Sequence, residues 1–450
     1  MSQPSLPHLP EPVEPPARPP TLPAVARMRR AVRNQVEWIA RDLDSVLAPD
    51  HPARAIWDLL ECMELRAFYA DIKALVDRPG QPATDPWVLL ALWVYATVDG
   101  VGKARMLDRL CREHDAYRWL RGGVPVNYHL LSDFRVAHQS AMDELLTQIT
   151  GCLLLAEAVT LNQSPVAQDG MRVRASAGAA SFRRKQTLEG CLREARAQVK
   201  RLAKEREHPE PGVTKRQQAA RERAVREREQ RVARALEHLP QAQAAKERQQ
   251  RTLATGKREK VTEPRVSTTD PEARIMKMPD GGFRPAYNVE LATVKAEGTA
   301  HGIIVGVAVT MEGTDARQAV PMAEQVQRRT GQHPKEYLMD GGFAAREGIT
   351  TLEQRGITVY APVRLPRNKP EHERYQPGQG DSPEVEQWRQ RMATAEAKAI
   401  YKARGALAEW ANAQVRHLGL SHFTVRGVTK VTTVALLMAV THTLLRWLAA

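Results

Sequence analysis

The chain is poor in cysteine and aromatic residues and has no long uninterrupted apolar run, and each shortage closes off a class of protein. Its 450 residues hold four cysteines, Cys62, Cys111, Cys152 and Cys191. Spaced roughly 40 to 50 residues apart, they lack the close pairing of zinc ribbons and fingers, so no zinc site is expected. Aromatics make up only 5% of the chain and charged residues 26%, so part of it must be solvated and extended rather than packed. No basic segment followed by an apolar stretch and a cleavage site opens the sequence. Secretion is therefore not indicated, and free thiols suit a reducing cytoplasm. The most apolar late stretch, Val431 to Leu448, is interrupted by Thr432, Thr433, Thr441, His442, Thr443 and Arg446. That composition suits a core-packing helix better than a bilayer span, and no membrane partner is expected.

What is abundant is positive charge. A net charge of +14 and an isoelectric point near 9.8 favour a polyanionic partner, nucleic acid or an anionic surface. A hydrophobic content of 42% supports a globular body, and the length allows two or three domains. Residues 1–24 hold nine prolines and read as a disordered, polyproline-like tail. Residues 25–155 read as a helical domain. Helical periodicity begins near Arg30, with Val36, Ile39, Leu43, Val46 and Leu47 on one face, and a second helix spans about 53–65. Another begins at Thr84-Asp85-Pro86, an N-cap followed by proline in the first turn. Short helices over 103–113 and 128–138, set off by glycine pairs, are compatible with a helix-turn-helix DNA reader or with a plain helical bundle. In the first case the reading helix is Asn127 to Arg135.

From Val159 the texture changes to short strands, near 163–168, 286–295, 302–310, 336–340 and 357–361, with helices near 315–330, 344–355, 384–416 and 428–448. Strands followed by strand and helix alternation predict a mixed α/β (α+β) fold over 156–450. A charged interruption from Gln186 to Lys260 holds 20 Lys or Arg against 11 Glu. A thin apolar seam and a break at Pro209-Glu210-Pro211-Gly212 predict two long helices there. These are either a solvated face or an arm that tracks phosphates or meets another subunit. Two apolar runs end in Asp then Gly, Gln168-Asp169-Gly170 and Met339-Asp340-Gly341, which predicts two carboxylates at strand tips. A third, Glu409, lies in a helical stretch, with Arg416 seven residues on and sharing its face. Tyr401, eight residues earlier, lies within about 80° of it by the same helical arithmetic. Three such acids can hold divalent metal for phosphoryl transfer.

These residues carry a resemblance. Tyr401-x-x-Arg404-x-x-x-x-Glu409 with Arg416, together with Asp169-Gly170-Met171-Arg172-Val173-Arg174 and Met339-Asp340-Gly341-Gly342-Phe343, resemble the motifs of bacterial DDE-type insertion-sequence transposases. Ser267 to Arg274, Tyr287-Asn288-Val289, Phe423 to Gly427, Asp50 to Arg54 and Asp85 to Arg135 extend the similarity. Arg416 stands where Lys is common, and Phe343 where Tyr is frequent.

The resemblance implies an RNase H-like five-stranded mixed sheet with first and fourth strands adjacent. It also implies two Mg²⁺ ions (Mn²⁺ may substitute) held by Asp169, Asp340 and Glu409. Tyr401, Arg404, Arg416, Arg172, Arg174 and Arg135 would bind DNA or position the glutamate helix. The implied protein cleaves transposon ends and joins them to target duplex DNA in the bacterial cytoplasm, associated with the nucleoid, as a homodimer or higher oligomer. A decayed or domesticated relative acting only as a DNA-binding protein is the alternative.

Overall fold

The structure, a computed structural model, describes residues 40–74, 81–161, 164–207, 214–251, 263–296, 302–365 and 370–448. The proline-rich segment and most of the helix expected from Arg30 lie outside them. Where that helix should end, only a 3-10 turn, Asp44–Val46, is present. From Pro52 onward, helices begin where side chains can cap them. The His51 ring accepts from Ala53 N at 3.1 Å ahead of helix Pro52–Glu61. Asp85 accepts from Trp87 N at 2.9 Å ahead of Pro86–Val98. Asn127 accepts from His129 N and Leu130 N, both at 3.0 Å, ahead of Tyr128–Ala137. Each cap satisfies N–H groups that a helix start leaves open. Pro86–Val98 is buried almost all round because it packs against Pro52–Glu61, Asp115–Arg121, Tyr128–Ala137 and the last helix, Val428–Leu448.

That last helix is long and apolar enough to cross a bilayer by composition, yet 72% of its apolar window is buried inside the protein. Its His442 has no hydrogen-bond partner on either ring nitrogen among the described residues and meets Trp410 edge-on, with centroids 5.6 Å apart. Burial, and then the positive charge of Arg446, push its pKa down to about 3. The folded state therefore holds it neutral, while the unfolded chain takes up a proton below about 6.5. This group's contribution to stability is full above that value. It is lost as pH falls toward 3, by about 1.4 kcal/mol per unit. Thermal unfolding at pH 4 should thus occur well below its midpoint at pH 7, and His442→Leu should flatten the dependence. An equally steep curve in the variant would acquit His442.

Eight strands lie among the described residues. They are β1 Val166–Arg174, β2 Phe182–Arg183, β3 Val266–Ser267, β4 Arg274–Lys277, β5 Phe283–Lys295, β6 Gly302–Thr310, β7 Glu336–Met339 and β8 Thr358–Tyr360. β1 runs antiparallel to β5 along its whole length, from Val166↔Val294 to Arg174↔Ala286, and parallel to β7 as far as Gln168↔Met339. β4 and β6 share the far edge of β5, and β8 extends the sheet beyond β7 in parallel. The fold is mixed α/β, as expected. The main sheet has six strands rather than five, because β4 joins it, and β2 pairs with β3 as a separate two-stranded clasp. Both extra features are too short to show periodicity in sequence.

The clasp closes the root of the charged insertion, which forms helices Lys185–Glu207, Lys215–Glu237 and Leu239–Arg251. The first two form an antiparallel hairpin, cross-linked by Arg196–Glu229 at 3.3 Å and Arg228–Glu194 at 3.8 Å. The third helix was not legible in the sequence. The predicted break at Pro209 to Gly212 lies outside the described residues. Leu43–Ala450 forms one compact unit, and a continuous core runs from the N-terminal helices into the sheet. Arg329 helps join the two parts, donating to Asp143 Oδ1 at 2.5 Å and Thr147 Oγ1 at 3.2 Å.

The proposed reading helix forms, but one of its expected DNA contacts does not survive. Arg135 is buried, donates to Gly102 O at 2.5 Å and lies over the Trp93 ring at 4.5 Å. Burial lowers its pKa to about 10. Its charge ties the helix to the turn at Gly102 and is not offered to DNA.

Candidate active site

Asp169 is the fourth residue of β1, inside the strand and not at its tip as the sequence suggested, because the pairing with β5 carries β1 on to Arg174. The neighbouring strand is the one that ends. β7 stops at Met339, level with Gln168, and Asp340 follows at once, so the two acids come level with each other on neighbouring strands, Asp169 within β1 and Asp340 just past the end of β7. Burial raises the pKa of Asp169, Arg404 opposes that shift, and the charge of Asp340 adds to it. Asp340 Oδ1 accepts from Gly342 N at 2.5 Å. A Cβ on Gly342 would sit 2.7 Å from that oxygen, so the glycine is needed for the turn to close on its own aspartate.

The single helix expected over 384–416 is broken into Pro383–Ala393, Ala395–Arg404, a π-helical turn at Gly405–Glu409, and Trp410–His417. On a regular α-helix, residues five apart point about 140° away from each other. A π turn closes i to i+5 and brings such residues onto one face. That turn is what lets Arg404 grip two acids, with Nη2 donating to Asp169 Oδ1 at 3.0 Å and Nη1 to Glu409 Oε1 at 2.9 Å. The side chains of Arg404 and Asp169 are 11% and 18% exposed, whereas Glu409 is 64% exposed. Burial disfavours the Arg404 charge, but Asp169 foremost, with Tyr401, Asp340 and Glu409, raises its pKa overall. Tyr401 is half-buried beside them. Its hydroxyl pKa is raised by burial, with Arg404 opposing and Asp340 and Glu409 adding to the rise.

Ala406 is an exposed residue of the π turn, between partners that already share a face. Deleting Ala406 should convert the turn to α-helix and leave Arg404 and Glu409 four apart on the same face. Such a variant should fold with a thermal midpoint at or above that of the parent. A large loss of stability would mean that the π turn is held by more than this one extra residue.

Sequence reasoning missed Asn412 and a buried polar network behind Asp169. Asn412 Nδ2 donates to Asp169 Oδ2 at 2.8 Å, while its own Oδ1 is buried without a hydrogen-bond partner. Beneath the neighbouring Gly170, Asn288 Nδ2 donates to Glu290 Oε1 and Asp315 Oδ1, both at 2.6 Å. Gln168 Nε2 donates to Glu290 Oε2 at 3.0 Å, and the Tyr337 hydroxyl to Gln168 Oε1 at 2.8 Å. Burial, then Asp315, lifts the Glu290 pKa well above the usual carboxylate range, which favours the protonated form. Gly170 faces Glu290 across the strand pair, and a Cβ there would lie 2.8 Å from Glu290 Oε1 and 3.0 Å from Asp315 Oδ1. The glycine after Asp169 therefore makes room for this network. Polar residues at 288 and 290, alternate positions of an otherwise apolar strand, were the available signal.

The other expected DNA contacts differ in availability. Arg172 is drawn inward, donating to Gly313 O at 3.1 Å and lying 3.4 Å from both Asp315 carboxylate oxygens. Arg174 and Arg416 are exposed. Among the described residues no group of three or more His, Cys, Asp or Glu side chains forms a ready metal cage.

A family model described as Transposase domain (DUF772) matches residues 41–137, the helical N-terminal part. No curated protein and no solved structure matches the chain. The family match supports a transposase role, and with it an interaction with DNA.

Proposed function

We propose that the chain is a DDE-type transposase with an RNase H-like catalytic sheet, cutting phosphodiester bonds at transposon ends and joining them to target DNA with divalent metal. The observation that carries this reading is the arrangement of Asp169, Glu409 and Asp340. Arg404 bridges the first two, and the charge of Asp340 is felt by Asp169, Arg404 and Tyr401. The strand order supports it as well, since β7 and its Asp340 lie beside β1 while the insertion loops out between β1 and β5.

The residues fit a hard divalent cation. Carboxylates are the oxygen donors that Mg²⁺ takes, and it commonly binds through one or two of them plus substrate phosphate, so a preformed cage is not required. Asp169 and Glu409 already meet on one cationic group, and the orphaned Asn412 Oδ1 beside Asp169 offers a further oxygen. Asp169, Asp340 and Glu409 would hold the metal, which when bound would activate the attacking oxygen and stabilise the leaving one. Asn412 orients the Asp169 carboxylate, and Arg404 keeps Asp169 and Glu409 facing each other. Exposed Arg416, seven residues beyond Glu409, is placed to meet a DNA phosphate. Tyr401 would orient DNA near the cleaved bond.

Purified protein should nick or join duplex DNA carrying its element ends in the presence of Mg²⁺ or Mn²⁺ and not in EDTA. Cleavage absent in both metals would instead favour the non-catalytic DNA-binding reading.

A further inference from the structure

The insertion's distal half is built unlike its root. At the root, Leu188, Val232, Ala235, Leu239 and Ala242 form a small core with Val266 of β3. Farther out, no described side chain over 200–205 or 214–224 is buried. That half instead exposes Lys200, Arg201 and Lys204 on one helix and Arg216, Arg223 and Arg226 on the other. None of the six is among the ion pairs formed by the described residues. Lys200 and Lys204, and Arg216 and Arg223, are four and seven residues apart and so form stripes along each helix. Like charges held side by side repel, and a polyanion would relieve that.

Three observations choose the polyanion. The exposed large apolar side chains, Tyr69, Met106, Leu155, Ile275, Phe283 and Leu448, all lie off the insertion. Among its described residues it therefore offers no exposed large apolar side chain to a second protein chain or to a membrane. Each hairpin helix has 23 residues, about 35 Å, close to one turn of B-DNA. The root also lies at the carboxylate edge of the sheet. β1 carries Asp169 toward Arg174 and into the clasp, and Arg248 of the third helix pairs at 3.2 Å with Glu312, in the loop that holds Asp315.

We propose that the paired helices Lys185–Glu207 and Lys215–Glu237 are a sequence-independent arm that grips the phosphate backbone of duplex DNA beside the carboxylate site. The proposal rests on the transposase reading above and deepens it. Contacts of this kind position a duplex without reading its bases.

The test uses the full chain carrying Lys200→Glu, Lys204→Glu, Arg216→Glu and Arg223→Glu, with circular dichroism to confirm its helices. Anisotropy titrations of a 30-base-pair duplex of arbitrary sequence are run across a KCl series. The slope of log K against log salt should become shallower by about 3 to 4, and affinity near 100 mM salt should fall at least tenfold. Neutral Gln substitutions at the same positions should also flatten the slope, which guards against misfolding of the charge-reversed protein. An unchanged slope in both variants would overturn the arm. So would a change of mass in solution without a change of slope, which would make the hairpin a contact between subunits. Failure of metal-dependent cleavage in the parent would count against the proposed activity while leaving the slope comparison to decide the arm.

Discussion

Glu409→Gln is expected to lower metal-dependent cleavage by about 10³-fold, the equivalent of roughly 4 kcal/mol of transition-state stabilisation, with little change in folding. The side chain is 64% exposed and its pairing with Arg404 lies at the rim of the site. Losing such a contact costs about 1 kcal/mol or less. Asp169→Ala is a less clean probe. It strips Arg404 and Asn412 of the partner they share in a largely buried place, and removing one member of such a pair costs about 3 kcal/mol or more. Single-turnover cleavage and differential scanning calorimetry on both variants separate the two effects. If Glu409→Gln cleaves at the parent rate, the carboxylates are not a metal-binding set.

Asn288→Leu should be the most damaging substitution that touches neither DNA nor the three acids. Its amide is the donor shared by Glu290, fully buried on β5, and Asp315, 9% exposed in the loop after β6. Without it Glu290 Oε1 loses its amide donor and Asp315 Oδ1 keeps only Arg172 at 3.4 Å, a cost of about 3 kcal/mol, since each poorly satisfied buried group costs about 1 to 3. Glu290→Gln should be mild by comparison, because burial already favours the uncharged acid and the amide has the same shape. Chemical denaturation reads the contrast directly. Equal losses in the two variants would show that Glu290 carries its charge in the folded protein.

Much of this architecture was legible because it depends on local rules. Asp85 and Pro86 announced a helix start, and the apolar run after them announced burial on every side. β6 declared itself by a stretch rich in β-branched residues, and the later half of β5 by the apolar residues that alternate with and follow its polar positions. What the sequence hid depends on geometry between distant segments. The position of Asp169 inside β1 is set by how far β5 pairs with it, more than a hundred residues on. Arg135 read as a surface cation at the end of a helix, and only packing against Trp93 reveals it as internal. The π turn is a one-residue matter that composition does not register, yet it decides which acids Arg404 can hold. The Asn288 network needed three strands and a loop to be assembled before its members could be seen as neighbours.

The β2–β3 clasp bears on how the chain reaches this fold at all. β1 must find β5 across roughly 110 intervening residues, and the entropy of closing a loop grows with the logarithm of its length. A helical hairpin forms from local contacts in far less time than a long-range strand pair. Once the insertion has folded and Phe182 and Arg183 have paired with Ser267 and Val266, the stretch still free to wander shrinks to about 22 residues, 175–181 and 268–282, a saving of about 1.4 kcal/mol. During synthesis this would let β1 wait beside an already folded hairpin, its unpaired edges exposed for a shorter search, until β5 emerges.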